Sequence, residues 1–177
     1  EAEFSSVFFD GAVTEADCIV GQPGEGWKVA MALLGFERGV STLGQQLHFS
    51  HELQLLLEVA RANGAAQDPA IRQRIADAWI GLQGLRYNGL RMLEDDTGST
   101  KVRPEGLIYK YAWSNWHGDL GQLAMDVIGV AGDVRSDEDA VRRLQQVFFF
   151  SRSDTIYAGT NEIQLNLMAE RAMGMPR

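Results

Sequence analysis

The chain has 177 residues, 45% of them hydrophobic, which is enough for one domain with a sizeable core. Its 24 acidic residues outnumber its 16 lysines and arginines, so the formal net charge is −8. This charge argues against nucleic acid and anionic membrane surfaces as partners, because both attract clustered basic side chains. No apolar run reaches the roughly 18 residues of a membrane span, and a single cysteine, Cys18, suits a reducing cytoplasm.

The first residues predict a β-strand. The stretch "FSSVFFDGAV", residues 4–13, is rich in aromatic and β-branched side chains. A lone strand leaves backbone hydrogen-bonding groups unpaired at both edges, so we expect its sheet partners upstream of Glu1. The chain also does not begin with Met. We therefore expect it to be part of a longer protein.

The rest of the chain predicts helices. Apolar residues recur at helical spacing from Trp27 to Leu43, and we expect this helix to continue to a stop at Asn63–Gly64. A second helix is expected to open with Asp68 as N-cap and Pro69 in the first helical position, and to end in "EDDTGS". Three more helices are predicted at residues 104–128, at residues 137–150 and from Gly159–Thr160 to Gly174. The expected fold class is all-α, an antiparallel helical bundle preceded by a short β remnant.

A charged pair interrupts the first predicted helix. Glu37 and Arg38, in "GFERG", lie in a segment that is otherwise apolar or small. From spacing alone the pair either forms a solvated stripe between core residues or points into a cleft. The solvated stripe is the more common arrangement on an amphipathic helix.

The stretch "DTIYAGTNEIQ" combines a turn of small residues with the start of the last helix. Thr160 can cap that helix, and the free N–H groups behind it can bind an anion. Ordinary capping explains the same residues equally well. Glu162 in the first turn complements the helix dipole, but it would repel a phosphate bound at the same place.

Other motifs do not predict a site. His48 and His51 share a helix face, but no second pair of ligands has suitable spacing, so no metal site is expected. The glycines at 21, 24 and 26 lack the strand, helix and downstream acid of a dinucleotide-binding fingerprint.

The two ends of the chain together resemble the acyl-CoA dehydrogenase family. Residues 7–39, "VFFDGAVTEADCIVGQPGEGWKVAMALLGFERG", are similar to the family's passage from its middle β-domain into its first C-terminal helix. Residues 153–177, "SDTIYAGTNEIQLNLMAERAMGMPR", are similar to its final helix. The resemblance covers essentially the whole chain. It implies that residues 1–22 end the middle β-domain and that residues 23–177 form the C-terminal helical bundle domain.

The resemblance implies a bacterial-type, FAD-dependent α,β-desaturation of an acyl-CoA thioester. In this family a glutamate removes the α-proton while a hydride passes to the flavin. Many members carry that glutamate directly before the Gly-Thr of the last motif, where this sequence has Ala158. Other members carry it on the first C-terminal helix directly before an arginine, and this matches Glu37 and Arg38. We therefore expect Glu37 to be the catalytic base.

The resemblance also implies further site residues and partners. Arg38 and Tyr157 match positions that border the substrate cavity, so both are expected to bind substrate. Thr160 matches a residue near the flavin pyrophosphate, and Glu162 falls where a glutamine is often found; both are expected to contact the cofactor. The family further implies an acyl-CoA substrate, an electron-transfer flavoprotein as electron acceptor, fatty acid metabolism in the cytoplasm, and a homo- or hetero-oligomer, dimer or tetramer.

Two departures from the family pattern keep alternatives open. The Arg-x-x-Phe-Gly and Phe-Gln residues that grip the neighbouring subunit's FAD are missing from "ARANGAAQDPAIRQR", and Asp126 replaces the glutamine of the Gln-x-x-Gly-Gly-x-Gly loop. Both changes weaken cross-subunit contacts to flavin, so the chain could instead be a non-catalytic or half-site subunit of a heteromeric enzyme. A third alternative is other flavin chemistry on the same fold, such as a monooxygenase or nitroalkane oxidase.

Overall fold

The computed structural model describes residues 5–94 and 104–176, without the side chains of residues 34–43, 93–94 and 104–105. The α-helices of the described residues are α1 (Gly26–Ala62), α2 (Pro69–Glu94), α3 (Pro104–Ile128), α4 (Asp139–Asp154) and α5 (Asn161–Leu167). Short 3-10 turns occur at Ala16–Cys18, Ala65–Gln67 and Gly129–Gly132, and a π-helix, Met168–Ala172, follows α5.

The chain divides into two compact units, Glu1–Glu37 and Arg38–Arg177, and the division falls inside α1. The described part of the first unit contains no strand. The strand predicted over residues 4–13 is therefore wrong for residues 5–13, while residue 4 lies outside the described residues. The physical reason is that a strand exists only when its backbone is paired, and the described residues contain no other strand to pair with it.

The predicted helix boundaries are largely confirmed, because local signals set them. Gly64 has φ 86°, the left-handed conformation that ends a helix most cheaply. Asp68 Oδ1 accepts a hydrogen bond from the Ala70 N–H at 2.8 Å and so caps α2. α4 differs from its prediction, since it begins at Asp139 and continues four residues further, to Asp154.

Within the second unit, α3 is the central helix and packs against α2, α4 and α5. α1 runs parallel to α3, because Gln46 bonds to Tyr109 near one end and Asn63 bonds to the Val127 carbonyl near the other. α2 runs antiparallel to α3, since its early residue Arg74 pairs with Asp126, and α4 also runs antiparallel to α3. The predicted antiparallel helical bundle is confirmed.

The core lies between α1, α2, α3 and α4. Its largest completely buried apolar side chains are Leu56, Leu107, Leu120 and Leu144. Trp113 is buried in this core, and the neighbouring Trp116 donates its Nε1–H to the Ala78 carbonyl at 2.9 Å. None of the described helices is both long and apolar enough to cross a membrane.

Candidate functional site

A row of buried polar side chains lies on one face of α3. Lys110, Ser114 and His117 are spaced by four and three residues, so they point from the same side of the helix. They face the end of α4 and the start of α5. None of these residues was predicted as a site residue from the sequence; their helical spacing within a largely apolar segment was the available signal.

His117 lies between two carboxylates. Its Nδ1 is 2.5 Å from Asp154 Oδ2, and its Nε2 is 2.9 Å from Glu52 Oε2. Burial by itself would lower the pKa of His117, but the hydrogen bonds and charges of Asp154 and Glu52 outweigh it and raise the pKa to about 9. His117 is therefore a cation at neutral pH that donates from both ring nitrogens and joins α1, α3 and α4.

Lys110 binds both the end of α4 and the start of α5. Its Nζ donates to the Asp154 carbonyl at 2.7 Å and to Asn161 Oδ1 at 3.1 Å. Ser114 Oγ donates to the same Asn161 oxygen at 2.9 Å. Burial lowers the pKa of Lys110, while the negative charges of Asp154 and Glu162 act in the opposite direction.

The turn between α4 and α5, residues 155–160, has an unusual backbone. Ala158 has φ 54° and Gly159 has φ 90°, so two successive residues adopt positive φ. The Ala158 carbonyl accepts from Gln164 Nε2 at 3.2 Å, and the Asn161 N–H donates to the Thr155 carbonyl at 3.0 Å. The methyl group of Ala158 can take no proton, so the side chain at this position has no acid–base role.

Three of the predicted site residues lie in or beside this turn. Tyr157 is 42% exposed, and its ring centroid lies 6.2 Å from that of Trp113. Thr160 Oγ1 accepts from the Ile163 N–H at 3.3 Å, which confirms the predicted cap. The pKa of Glu162 is lowered by a hydrogen bond from its own backbone N–H and then by one from the Thr160 hydroxyl.

The other two predicted site residues are Glu37 and Arg38. Their backbone belongs to α1, but their side chains lie outside the described residues. Glu37 as the base and Arg38 as a substrate contact therefore stay predictions.

The two departures from the family pattern meet in space. Arg74, which ends the altered segment "ARANGAAQDPAIRQR" and lies in α2, pairs through Nη1 with Asp126 Oδ2 at 2.6 Å, and both side chains are 41% exposed. The residue that replaces an amide near the expected flavin contacts is thus paired with a cation of its own chain.

A polar cleft of about 400 Å³ opens between α3 and α4 beside the turn. Its lining includes Ser114, Asn115, Asp119, Ser151, Arg152 and Thr155. Within residues 5–94 and 104–176, no group of three His, Cys, Asp or Glu side chains is arranged to hold a metal ion.

Comparison with known proteins decides the family. Residues 24–173 match the family model described as "Acyl-CoA dehydrogenase, C-terminal domain". The chain belongs to the acyl-CoA dehydrogenase family. Among curated acyl-CoA dehydrogenases, it is 51% identical over 177 residues to acyl-CoA dehydrogenase IpdE1 of Mycobacterium tuberculosis, covering 99% of this chain and 45% of that protein. It is 48% identical to IpdE1 of Mycolicibacterium smegmatis, covering 100% of this chain and 44% of that protein.

Solved structures of the acyl-CoA dehydrogenase fold are also similar. The structure titled "Tcur3481-Tcur3483 steroid ACAD" superposes with a TM-score of 0.80 at 21% identity, over 96% of this chain and 45% of that one. The structure titled "FAD complex of PigA" superposes with a TM-score of 0.70 at 23% identity, over 88% of this chain and 40% of that one. At these identities the likeness shows the fold. The chain spans less than half the length of the relatives that it matches.

The described residues fit the FAD of this family in part. Ile156 and Tyr157 offer exposed apolar surface within the turn, which suits a flavin ring. Glu162 is a fully exposed carboxylate in the first turn of α5 and would repel a diphosphate. Arg74 is already paired with Asp126. The described residues therefore suit the ring of the cofactor better than its diphosphate.

Proposed function

We propose that this chain carries the C-terminal domain of an FAD-dependent acyl-CoA dehydrogenase that desaturates an acyl-CoA thioester between its α- and β-carbons. Identity of 51% to a curated acyl-CoA dehydrogenase over 99% of the chain supports this reaction class. When bound, FAD supplies the acceptor for the hydride that leaves the β-carbon. The protein contributes the base that takes the α-proton and the surface that orients the thioester.

The proposed base is Glu37, and Ala158 is the observation that carries this assignment. The position before Gly159–Thr160 holds a methyl group in a positive-φ turn, so the proton acceptor must come from another element. Glu37 followed by Arg38 on α1 matches the alternative family position. In this proposal Arg38 and Tyr157 contact the acyl-CoA, and Thr160 and Glu162 contact the flavin.

The physiological setting extends the proposal by family membership. The reduced flavin is expected to pass its electrons to an electron-transfer flavoprotein. We propose that the enzyme acts in the cytoplasm, in fatty acid metabolism, as a homo- or hetero-oligomer.

The test compares the full-length protein with its Glu37→Gln variant. Flavin content and bleaching of the oxidised flavin band are recorded after adding straight-chain, branched and ring-bearing acyl-CoA thioesters. We expect the parent to bleach with at least one thioester, and Glu37→Gln to hold flavin but bleach at least about a thousandfold more slowly, because removing the proton acceptor removes general base catalysis.

Glu58→Gln is the matched control for this experiment. Glu58 is an exposed residue on the same helix whose Oε1 accepts a hydrogen bond from Gln54 Nε2 at 2.9 Å, so the same chemical change there should leave bleaching intact. Bleaching by Glu37→Gln at the parental rate would rule out Glu37 as the base.

The Arg74–Asp126 ion pair favours a second candidate, a half-site subunit of a heteromeric acyl-CoA dehydrogenase. In such an enzyme this chain would keep the bundle for assembly while another subunit supplies part of each flavin site. The full-length chain purified alone would then hold little flavin, and flavin would appear when a partner subunit is co-purified. Stoichiometric flavin in the isolated chain would exclude this candidate.

A further inference from the structure

One ammonium group ties down both ends of the turn at residues 155–160. Lys110 Nζ donates at 2.7 Å to the carbonyl of Asp154, the last residue of α4, and at 3.1 Å to the side chain of Asn161, the first residue of α5. These two residues directly precede and follow the turn. A single side chain of α3 therefore closes it.

Asn161 is held from several directions. Its side-chain oxygen, Oδ1, accepts hydrogen bonds from both Lys110 Nζ and Ser114 Oγ. Its Nδ2 donates to Asn115 Oδ1 at 3.2 Å. The Asn161 backbone N–H reaches back to the Thr155 carbonyl at 3.0 Å. The start of α5 is thus fixed to α3 through side chains that are mostly buried.

The turn needs such support because of its backbone. Ala158 has φ 54°, a conformation that residues with a side chain rarely adopt. Backbone of this kind persists where the surrounding contacts determine it. From α5, Gln164 Nε2 supports the Ala158 carbonyl at 3.2 Å, and Lys110 supplies a contact from another helix.

We propose that Lys110 is a positioning residue: by tying both ends of the turn to α3, it holds Tyr157 and Thr160 where they meet substrate and flavin. This inference rests on the proposed function, since it takes Tyr157 and Thr160 as ligand-contacting residues. Lys110 itself is buried, and its ammonium group bonds to the two ends of the turn. A merely structural role would lower the stability of the bundle without a specific effect on the turn or on substrate binding.

The test uses full-length protein with Lys110→Met, which keeps most of the stem and removes the ammonium group. Backbone amide hydrogen exchange is followed by mass spectrometry in peptides covering residues 153–161. We expect exchange there to accelerate about tenfold or more, because two charge-assisted hydrogen bonds are lost.

Trp116→Phe is the matched control. It also removes one hydrogen bond from α3 to a backbone carbonyl of a neighbouring helix, but at Ala78, away from the turn. Exchange in residues 153–161 should stay at the parental rate in this variant. If Lys110→Met does not fold, Asn161→Ala removes one acceptor of the ammonium group while leaving its contact with Asp154.

The second readout separates positioning from stability. In Lys110→Met we expect the KM for the acyl-CoA that bleaches the parent to rise about tenfold, or flavin content to fall, with kcat changed less. Lys110→Arg, which keeps the charge, should recover part of the loss. Trp116→Phe should keep the parental KM.

Several outcomes would overturn the inference. Parental exchange rates at residues 153–161 in Lys110→Met would show that the ammonium group does not close the turn. Faster exchange with unchanged KM and flavin content would show that the contacts of Lys110 do not position Tyr157 and Thr160 for substrate or flavin. A parent that binds flavin and bleaches with no thioester would instead overturn the proposed function, while the exchange rates still decide whether Lys110 closes the turn.

Discussion

His117 lies in the interior of the bundle with only 2% of its surface exposed, between carboxylates from two other helices. A buried charge is strongly unfavourable unless it is paired. Removing one partner of a buried ion pair leaves the other charge uncompensated, which is more destabilising than replacing both partners by apolar residues. The Asp154 side chain is itself buried, and its second oxygen, Oδ1, has no hydrogen-bond partner among the described residues. His117 is thus the cation that compensates one buried carboxylate, Asp154, and one half-buried carboxylate, Glu52.

The raised pKa of His117 predicts how stability depends on pH. The folded value of about 9 exceeds the ordinary value of 6.5, so the folded state binds the proton more tightly than the unfolded state. This contribution is fully present below about pH 6.5 and is lost as the pH rises through 9. We expect the free energy of unfolding to fall by about 3 kcal/mol across that range, measured by urea denaturation at a series of pH values.

Two variants test whether His117 causes this dependence of the free energy of unfolding on pH. His117→Gln should be less stable at pH 6.5 and show a much flatter dependence between pH 6.5 and 9. His48→Gln is the control, because His48 contacts the same Glu52 at 3.0 Å but is largely exposed. A His48→Gln protein that loses the slope, or a His117→Gln protein that keeps it, would contradict the assignment.

At the scale of helices, glycines set how closely α3 approaches its neighbours. A Cβ on Gly81 of α2 would lie 2.5 Å from Trp116 Cδ1 and 2.8 Å from its Nε1. The indole of Trp116 therefore lies directly over the α2 backbone, where its N–H reaches the Ala78 carbonyl. Gly121 of α3 allows a similar approach to α4, with 3.0 Å between its ideal Cβ position and Phe148 Cα.

Substitution of two glycines on the same helix should have opposite effects. Gly81→Ala is expected to destabilise the protein by about 1–3 kcal/mol, because the indole must move and loses its hydrogen bond. Gly84→Ala, three residues later, meets nothing within 4 Å and should stabilise by up to about 1 kcal/mol through helix propensity. Thermal unfolding followed by circular dichroism measures both changes. Equal effects of the two substitutions would mean that α2 and α3 do not approach closely at Gly81.

At the scale of the molecule, α2 carries an exposed apolar stripe. Trp79, Ile80, Tyr87 and Leu90 lie along one side of the helix, and each is at least 44% exposed. Monomeric proteins rarely leave a contiguous patch of large apolar side chains in water. This stripe is therefore a surface suited to contacts in the proposed oligomer.

A charge within the stripe should weaken the assembly. In the full-length protein, Ile80→Glu is expected to lower the oligomeric mass, measured by sedimentation velocity, because a carboxylate would have to be buried without a partner. Gln146→Glu places a similar charge on an exposed position of α4 and should leave the mass unchanged. An unchanged oligomeric mass for Ile80→Glu would contradict a role of the stripe in assembly.

The amino-acid sequence by itself determined the helices, the bundle and the family, because their signals are local. Gly64 and the pair Asp68–Pro69 mark the end of one helix and the start of the next, and the motif around Thr160 lies within one short segment. The assignment of Glu37 as the base also comes from the sequence, through the family, and stays a prediction.

Only the tertiary structure decided what surrounds the turn. Lys110 is separated from Asn161 by 51 residues and His117 from Glu52 by 65, so no local spacing predicts that these side chains meet. The same reason explains why the strand predicted near the start of the chain is wrong for residues 5–13. Strand formation depends on pairing with another segment and not on the residues of the strand alone. Helix formation is local, whereas burial and ion pairing depend on which distant residues the fold brings together.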